Sequence, residues 1–218
     1  MSEAVALPLD RGVEEIPRRP RIARHDPGID LERAERAAAE MLAALGLPVD
    51  SEDLVETPRR LVHAYAEMLT PPEFDSTTFT NSSGYDELVL VCDIPVRSLC
   101  EHHLLPFTGV AHVGYLPGTR ILGLSKFART VEFFARRAQT QERLTVEIAQ
   151  HLTERLQPLG VGVVIEADHT CMSLRGARAD GARTVTASLH GRLRDDARTR
   201  AEFLSLTRDR VSRSGGSR

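Results

Sequence analysis

The chain has 218 residues, 41% of them hydrophobic and 27% charged, a balance that excludes collagenous, coiled-coil and wholly disordered proteins. Its 28 basic and 31 acidic side chains leave a net charge of −3, without the basic excess expected of a nucleic-acid binder. No apolar run approaches the roughly 18–20 residues that span a bilayer. The first 24 residues lack the apolar core of a secretory signal, so the expected location is cytoplasmic, with no membrane partner.

Residues 1–27 are rich in Pro, Arg and Glu without periodicity and are expected to form a mobile arm. From Asp30 onward, Leu31, Ala34, Ala38, Met41, Leu42 and Leu45 share one helical face, and Gly46 offers a stop. Thr57-Pro58 announces a second helix through Leu61, Val62, Tyr65 and Leu69, ended by Pro71-Pro72. Residues 73–86 are polar and read as a loop. Segments 87–99 and 104–116 are rich in β-branched and apolar residues around a short polar turn, which predicts an antiparallel pair. A short strand at 120–122 precedes a helix expected from a Ser125 cap to residue 138. Another helix spans 141–156, ended by Pro158 and Gly160. Segments 161–167 and 184–193 predict a second strand pair, 196–206 a last helix, and 211–218 a loose tail. Strands and helices do not alternate singly, so the fold class is α+β. One domain is expected at 28–210, with a helical extension at 28–72 and a core at 87–208.

An odd count of three cysteines does not describe a disulfide framework. Cys92 lies in the apolar run 88–92 and reads as a small buried hydrophobe. The other two have polar neighbours, in Cys100-Glu101-His102-His103 and His169-Thr170-Cys171, each at the end of a predicted strand pair. Together Cys100, His103 and Cys171 would give two thiolates and one imidazole, a zinc set that leaves a fourth position open. The same residues also read as unrelated buried cysteines and surface histidines. His102 and His169 remain as proton carriers beside such a metal, or as supporting histidines. His112 alternates within a strand and reads as structural.

Gly123-Leu124-Ser125-Lys126 opens a helix, where free N–H groups and the helix dipole favour an anion. Arg129 follows one turn later, and Arg175-Gly176 lies beyond the second cysteine motif. Lys126 is the single lysine against 27 arginines. Gln141-Glu142-Arg143 carries a carboxylate suited to the adjacent N–H donors of a guanine edge, in a pattern that is also ordinary on a helix.

With these residues placed, the chain resembles the GTP cyclohydrolase I family over residues 30–208. The motifs are Ser98-Leu99-Cys100-Glu101-His102-His103-Leu104-Leu105-Pro106-Phe107, Gly123-Leu124-Ser125-Lys126, Gln139 with Gln141-Glu142-Arg143-Leu144, and His169-Thr170-Cys171-Met172 with Arg175-Gly176. The resemblance implies Zn2+ on Cys100, His103 and Cys171, and proton handling by His102 and His169. It implies that Glu142, with Gln141 beside it, anchors the pyrimidine side of guanine. Arg60, Ser125, Lys126, Arg129 and Arg175 would meet the triphosphate. The implied reaction converts GTP and water to 7,8-dihydroneopterin triphosphate and formate, the first step of tetrahydrofolate and pterin biosynthesis. The implied architecture is the tunnelling fold, an antiparallel sheet with helices on one face, assembled into a toroidal homodecamer with sites at subunit junctions. Where the family usually has a further basic residue three positions after Arg60, this chain has His63. The alternative is a non-catalytic, zinc-stabilised relative that binds GTP or a pterin without turnover.

Overall fold

The computed structural model describes residues 21–22 and 28–214. The two expected N-terminal helices form as α1 (Leu31–Ala44) and α2 (Thr57–Leu69). The Asp30 side chain caps α1 by accepting from the Arg33 N–H at 3.0 Å, and Pro58 occupies the first turn of α2. The arm expected at 1–27 lies outside the described residues except for β1 (Arg21–Ile22), which pairs antiparallel with β2 (Phe74–Asp75). β2 and β3 (Thr78–Thr80) fall where the sequence reads as loop. Two or three residues are too few to show a period, and β3 finds its partner forty residues away in β6 (Arg120–Leu122).

Both predicted strand pairs are present. β4 (Val89–Cys100) pairs with β5 (Pro106–Leu116), and β8 (Gly160–His169) with β9 (Thr184–Gly191). β5 and β8 lie side by side, giving one sheet in the order β7-β4-β5-β8-β9. Its neighbours are antiparallel except β7 (Ala138–Gln139), which runs parallel to β4 through Leu99↔Ala138 and Cys100↔Gln139.

Strand alternation sends Phe107, Ala111, Val113 and Tyr115 of β5 and Val161, Val163, Ile165 and Ala167 of β8 to one face. There they pack on Phe127 and Val131 of α3 (Ser125–Ala135) and on Leu144, Ile148 and Leu152 of α4 (Gln141–Leu156). The larger of these side chains each contribute about 1.5–3 kcal/mol when fully buried. On the opposite face, Leu116 and Val164 meet Leu193 of α6 (Arg192–Asp195) and Phe203 of α7 (Ala197–Ser214). The expectation of helices on one face alone is therefore corrected. Phe203 sits over the paired Gly114 and Gly162, where a Cβ on Gly162 would stand 2.7 Å from its ring.

Three boundaries also differ from expectation. α7 runs to Ser214, past the expected end at 206. α3 ends at Ala135, because the Ser98 hydroxyl donates to the Ala135 carbonyl at 2.6 Å and β7 begins three residues later. Ser125 is not the cap of α3; Leu124 holds that position and Ser125 is the first helical residue. His112 is fully buried, and its Nδ1 accepts from the Asp93 N–H at 3.3 Å, where β4 shifts register. The structural role expected of it is the one it performs. Cys92 is half-buried.

His151 of α4 has consequences for stability. Its ring lies 5.2 Å from that of Phe134, and its Nε2 is shielded from solvent with no hydrogen-bond partner among the described residues. Burial first, and then the Arg155 charge, push its pKa down from the ordinary 6.5 to about 4. The neutral ring is favoured in the fold, so the unfolded chain takes up this proton first as the pH drops. The contribution of His151 is complete above pH 6.5 and is lost as pH falls toward 4, about 3 kcal/mol in all. His151→Leu is expected to flatten the acid side of the stability curve; equal pH dependence in denaturant melts of variant and parent would refute this.

Candidate metal and nucleotide site

The end of β4, the start of β5, the end of β8 and the start of α4 meet at one end of the sheet. The turn from Cys100 to Leu105 is closed by its own backbone. The His103 and Leu104 N–H groups donate to the Cys100 carbonyl at 3.3 and 2.7 Å, and the Cys100 N–H donates to the Leu105 carbonyl at 2.9 Å. Leu104 takes a left-handed conformation with φ 52°, unfavourable for a residue with a branched side chain. The Tyr65 hydroxyl on α2 donates to its carbonyl at 3.0 Å and holds it there. Beside this turn, β8 ends at His169 and α5 (Thr170–Ser173) carries Cys171. The Thr170 hydroxyl ties the two segments by donating to the Pro106 carbonyl at 2.5 Å.

The ligating atoms of Cys100, His103 and Cys171 consequently lie within 4.8 Å of one another, with Cys100 Sγ 3.7 Å from His103 Nδ1. Burial, and then the adjacent Cys100 sulfur, push the Cys171 thiol up. Two sulfurs this close resist ionising together unless a cation lies between them. Two sulfurs and one imidazole nitrogen form a donor set suited to zinc. Among the described residues, this is the one convergence of three such side chains.

His169 stands next to this cluster. Its ring stacks on Phe107 at 4.5 Å and 9°, and its Nε2 lies 2.8 Å from Gln141 Oε1. The Gln141 amide nitrogen donates to the carbonyls of Ile165 and Thr184 at 3.0 Å and approaches the Thr186 hydroxyl at 3.1 Å. Those carbonyls leave the amide no other orientation, so its oxygen accepts from His169 Nε2–H, and neutral His169 keeps its lone pair on Nδ1. Burial pushes His169 below the ordinary histidine pKa, against the opposing pull of Glu142 and Asp168. Gln141 is 1% exposed. Gln141, expected beside Glu142 on the base, has its side-chain amide bonded to the Ile165 and Thr184 carbonyls and to His169 in this chain. Glu142 is exposed in the first turn of α4, where the helix dipole favours a carboxylate. His102 is exposed, with Nε2 4.0 Å from Glu101 Oε1.

The candidate phosphate residues divide. Arg175 is exposed near Cys171, whose thiol its charge pulls down. Arg60 is exposed on α2, five residues before the Tyr65 that touches the cysteine turn. Ser125, Lys126 and Arg129 lie elsewhere. α3 starts after β6, beside the Tyr115 hydroxyl, which accepts from the Leu122 N–H at 3.0 Å. It ends at Ala135, whose carbonyl accepts from Ser98, two residues before Cys100. Tyr115 pairs with Val89, at the other end of β4. The start of α3 and the cysteine cluster are therefore separated by the length of an 11-residue helix, about 16 Å. One chain brings together Cys100, His103, Cys171, His169, Gln141 and Glu142, and leaves Ser125, Lys126 and Arg129 apart. Sequence reasoning missed Tyr65 and the bracing of Glu101 by Arg143; Phe107 stood inside a recognised motif without a role.

Residues 34–208 match the family model of GTP cyclohydrolase I. The chain is 54% identical over 183 residues to GTP cyclohydrolase 1 of Streptomyces avermitilis, covering 81% of this chain and 90% of that one. It is 50% identical over 184 residues to GTP cyclohydrolase 1 of Thermobifida fusca, covering 82% and 89%. GTP cyclohydrolase 1 of Aquifex aeolicus is 49% identical over 180 residues, covering 83% and 98%. The matched span runs from within α1 to within α7 and holds every residue of the cysteine–histidine cluster, so the chain belongs to the GTP cyclohydrolase I family.

Proposed function

We propose that the protein is a zinc-dependent hydrolase that converts GTP and water to 7,8-dihydroneopterin triphosphate and formate. The observation that carries this reading is the convergence of Cys100, His103 and Cys171 beside His169 and Glu142, in a chain whose relatives are named GTP cyclohydrolase 1. Cys100, His103 and Cys171 would hold the zinc, which when bound activates water toward C8 of guanine. Glu142 accepts from the N1–H and the 2-amino group of the base, a pair of donors that only guanine offers among the common purines. His169, whose lone pair on Nδ1 is free in the neutral ring, takes up a proton there from water and passes it to N7, which makes C8 electrophilic, while Gln141 holds the ring by Nε2. His102 is the second proton carrier, at ring opening and at release of C8 as formate. The ribose then opens, rearranges and closes the new six-membered ring.

Ser125, Lys126, Arg129, Arg60 and Arg175 take the triphosphate in this reading. The 11-residue length of α3 between Lys126 and the cysteine cluster supports a site completed by a second copy of the chain. Sheet order supports it too: β9 is an edge strand, and β7 covers only Leu99 and Cys100 of β4. The proposed assembly is a toroidal homodecamer of tunnelling-fold subunits. No helix among the described residues is long and apolar enough to cross a membrane. The proposed location is the cytoplasm, where GTP is available and thiols stay reduced.

Release of formate from GTP by zinc-loaded protein tests the reaction. Nucleotide binding without formate would leave the non-catalytic relative. A mixing experiment tests the shared site. Lys126→Ala is expected to weaken GTP binding and spare guanosine, which has no phosphate to lose. Coexpressed with Cys171→Ala, it should restore roughly a quarter of the parent activity, because random assortment rebuilds that share of junctions with both halves intact. No recovery above the two variants measured separately would place the whole site in one chain.

A further inference from the structure

One side chain holds the turn that carries Cys100, Glu101, His102 and His103 to the start of α4. The Arg143 guanidinium makes a short ion pair with Glu101 Oε2 through Nη2. It also donates from Nε to Gln139 Oε1 at 2.7 Å and from Nη2 to the Ala138 carbonyl at 3.0 Å. The two latter acceptors are themselves fixed. Gln139 is fully buried, and its amide nitrogen donates to Glu147 Oε2 at 2.8 Å and to the Phe134 carbonyl at 3.2 Å, which aims its oxygen at Arg143. Ala138 and Gln139 form the strand paired with Leu99 and Cys100, and the Glu101 N–H donates to the Gln139 carbonyl at 3.0 Å. At the other end, the Arg143 N–H donates to the Thr140 hydroxyl, the cap of α4, at 3.3 Å.

An ion pair between side chains 44% and 31% exposed contributes little when it stands alone. Arg143 differs because one planar fork reaches three oxygens on two segments, a geometry that a lysine does not reproduce. We propose that Arg143 is a positioning residue: acting through Glu101, it sets the placement of the Cys100–His103 turn relative to the helix start that carries Glu142. The inference rests on the hydrolase reading above. Arg143 makes no contact with substrate in it. Without the fork, the metal-ligand turn and the base-reading helix would each remain folded but lose their mutual register, and misplacement of this kind falls on the chemical step.

The test compares Arg143→Met, Arg143→Lys, Glu101→Gln and the double variant Arg143→Met/Glu101→Gln, all full-length and zinc-loaded. GTP turnover and zinc retention against a chelator are the two readouts. For Arg143→Met, kcat is expected to fall about 10–100-fold, and zinc affinity about tenfold, the usual range for a residue that orients a metal ligand. KM for GTP should stay within about threefold, since no binding contact is lost. The double variant should be no worse than Arg143→Met, because the two side chains act as one unit. Arg143→Lys, with the charge but not the fork, should recover only part of the loss. Unchanged kcat and zinc affinity, a loss confined to KM, or losses that multiply in the double variant would each overturn the proposal. If Arg143→Met does not fold, Glu101→Gln carries the same comparison, because it removes the charge that makes one of the three bonds an ion pair and leaves the other two. If the parent protein releases no formate from GTP, the hydrolase reading fails, and the zinc-retention series still decides whether Arg143 orients the turn.

Discussion

Cys171→Ala is expected to remove bound zinc and GTP hydrolysis together while leaving the chain folded. The three ligating atoms come from two separate segments, the Cys100–Leu105 turn and the α5 turn, and Cys171 is the only ligand the second segment supplies. Without it, two donors from one turn remain. A pair of ligands does not close a tetrahedral site, and the thiolate supplies much of the affinity. The fold should survive because Cys171 is half-buried at the edge of the core and the Thr170–Pro106 tie beside it is untouched. Metal analysis should show less than one zinc per chain, with formate release at background and an unchanged circular dichroism spectrum. Cys92→Ala, a half-buried cysteine on β4 outside the cluster, is the control and should keep both zinc and turnover. Full activity with one zinc per chain in Cys171→Ala would show that the ligand set is wrong.

His169→Ala separates proton transfer from metal binding. His169 is not one of the three converging ligands, so zinc content should hold. Turnover should drop about 10²–10⁴-fold, the usual worth of a positioned acid or base. The upper part of that range is favoured by how firmly the ring is placed, stacked on Phe107 at 4.5 Å and bonded to a Gln141 amide that has no alternative orientation. Affinity for GTP should change far less, because Glu142 and the residues proposed to meet the triphosphate are untouched. A parallel fall in zinc content would mean that His169 is a ligand and one of the three has been misassigned.

Much of this site is legible without coordinates, and for identifiable reasons. α4 begins and ends where the sequence says it does, because Thr140 accepts from the Arg143 N–H at one end and Pro158 follows the other. The two strand pairs follow from contiguous β-branched and apolar runs around short polar turns. The convergence of Cys100, His103 and Cys171 follows in turn, since both cysteine motifs lie where paired strands end and β5 and β8 are neighbours. Each of these signals is carried by residues next to one another in the chain.

The tertiary structure decided the rest. α3 stops at Ala135 because Ser98 and Leu99, almost forty residues upstream, capture the chain for β7. α7 covers the second face of the sheet because Gly114 and Gly162 leave a seat for Phe203, and a missing side chain carries no periodic signal. Gln141 turns behind His169 because the carbonyls of Ile165 and Thr184 claim its amide nitrogen. Lys126 and the cysteine cluster prove to lie at opposite ends of α3, although the motifs that contain them are 26 positions apart in a family pattern that unites them. All four depend on which distant segments compete for the same hydrogen-bonding group or the same volume. The sequence by itself determined most of the elements and the donor chemistry of the candidate metal site. Packing between remote segments determined where the elements stop, which faces they cover and which side chains are left to meet a substrate.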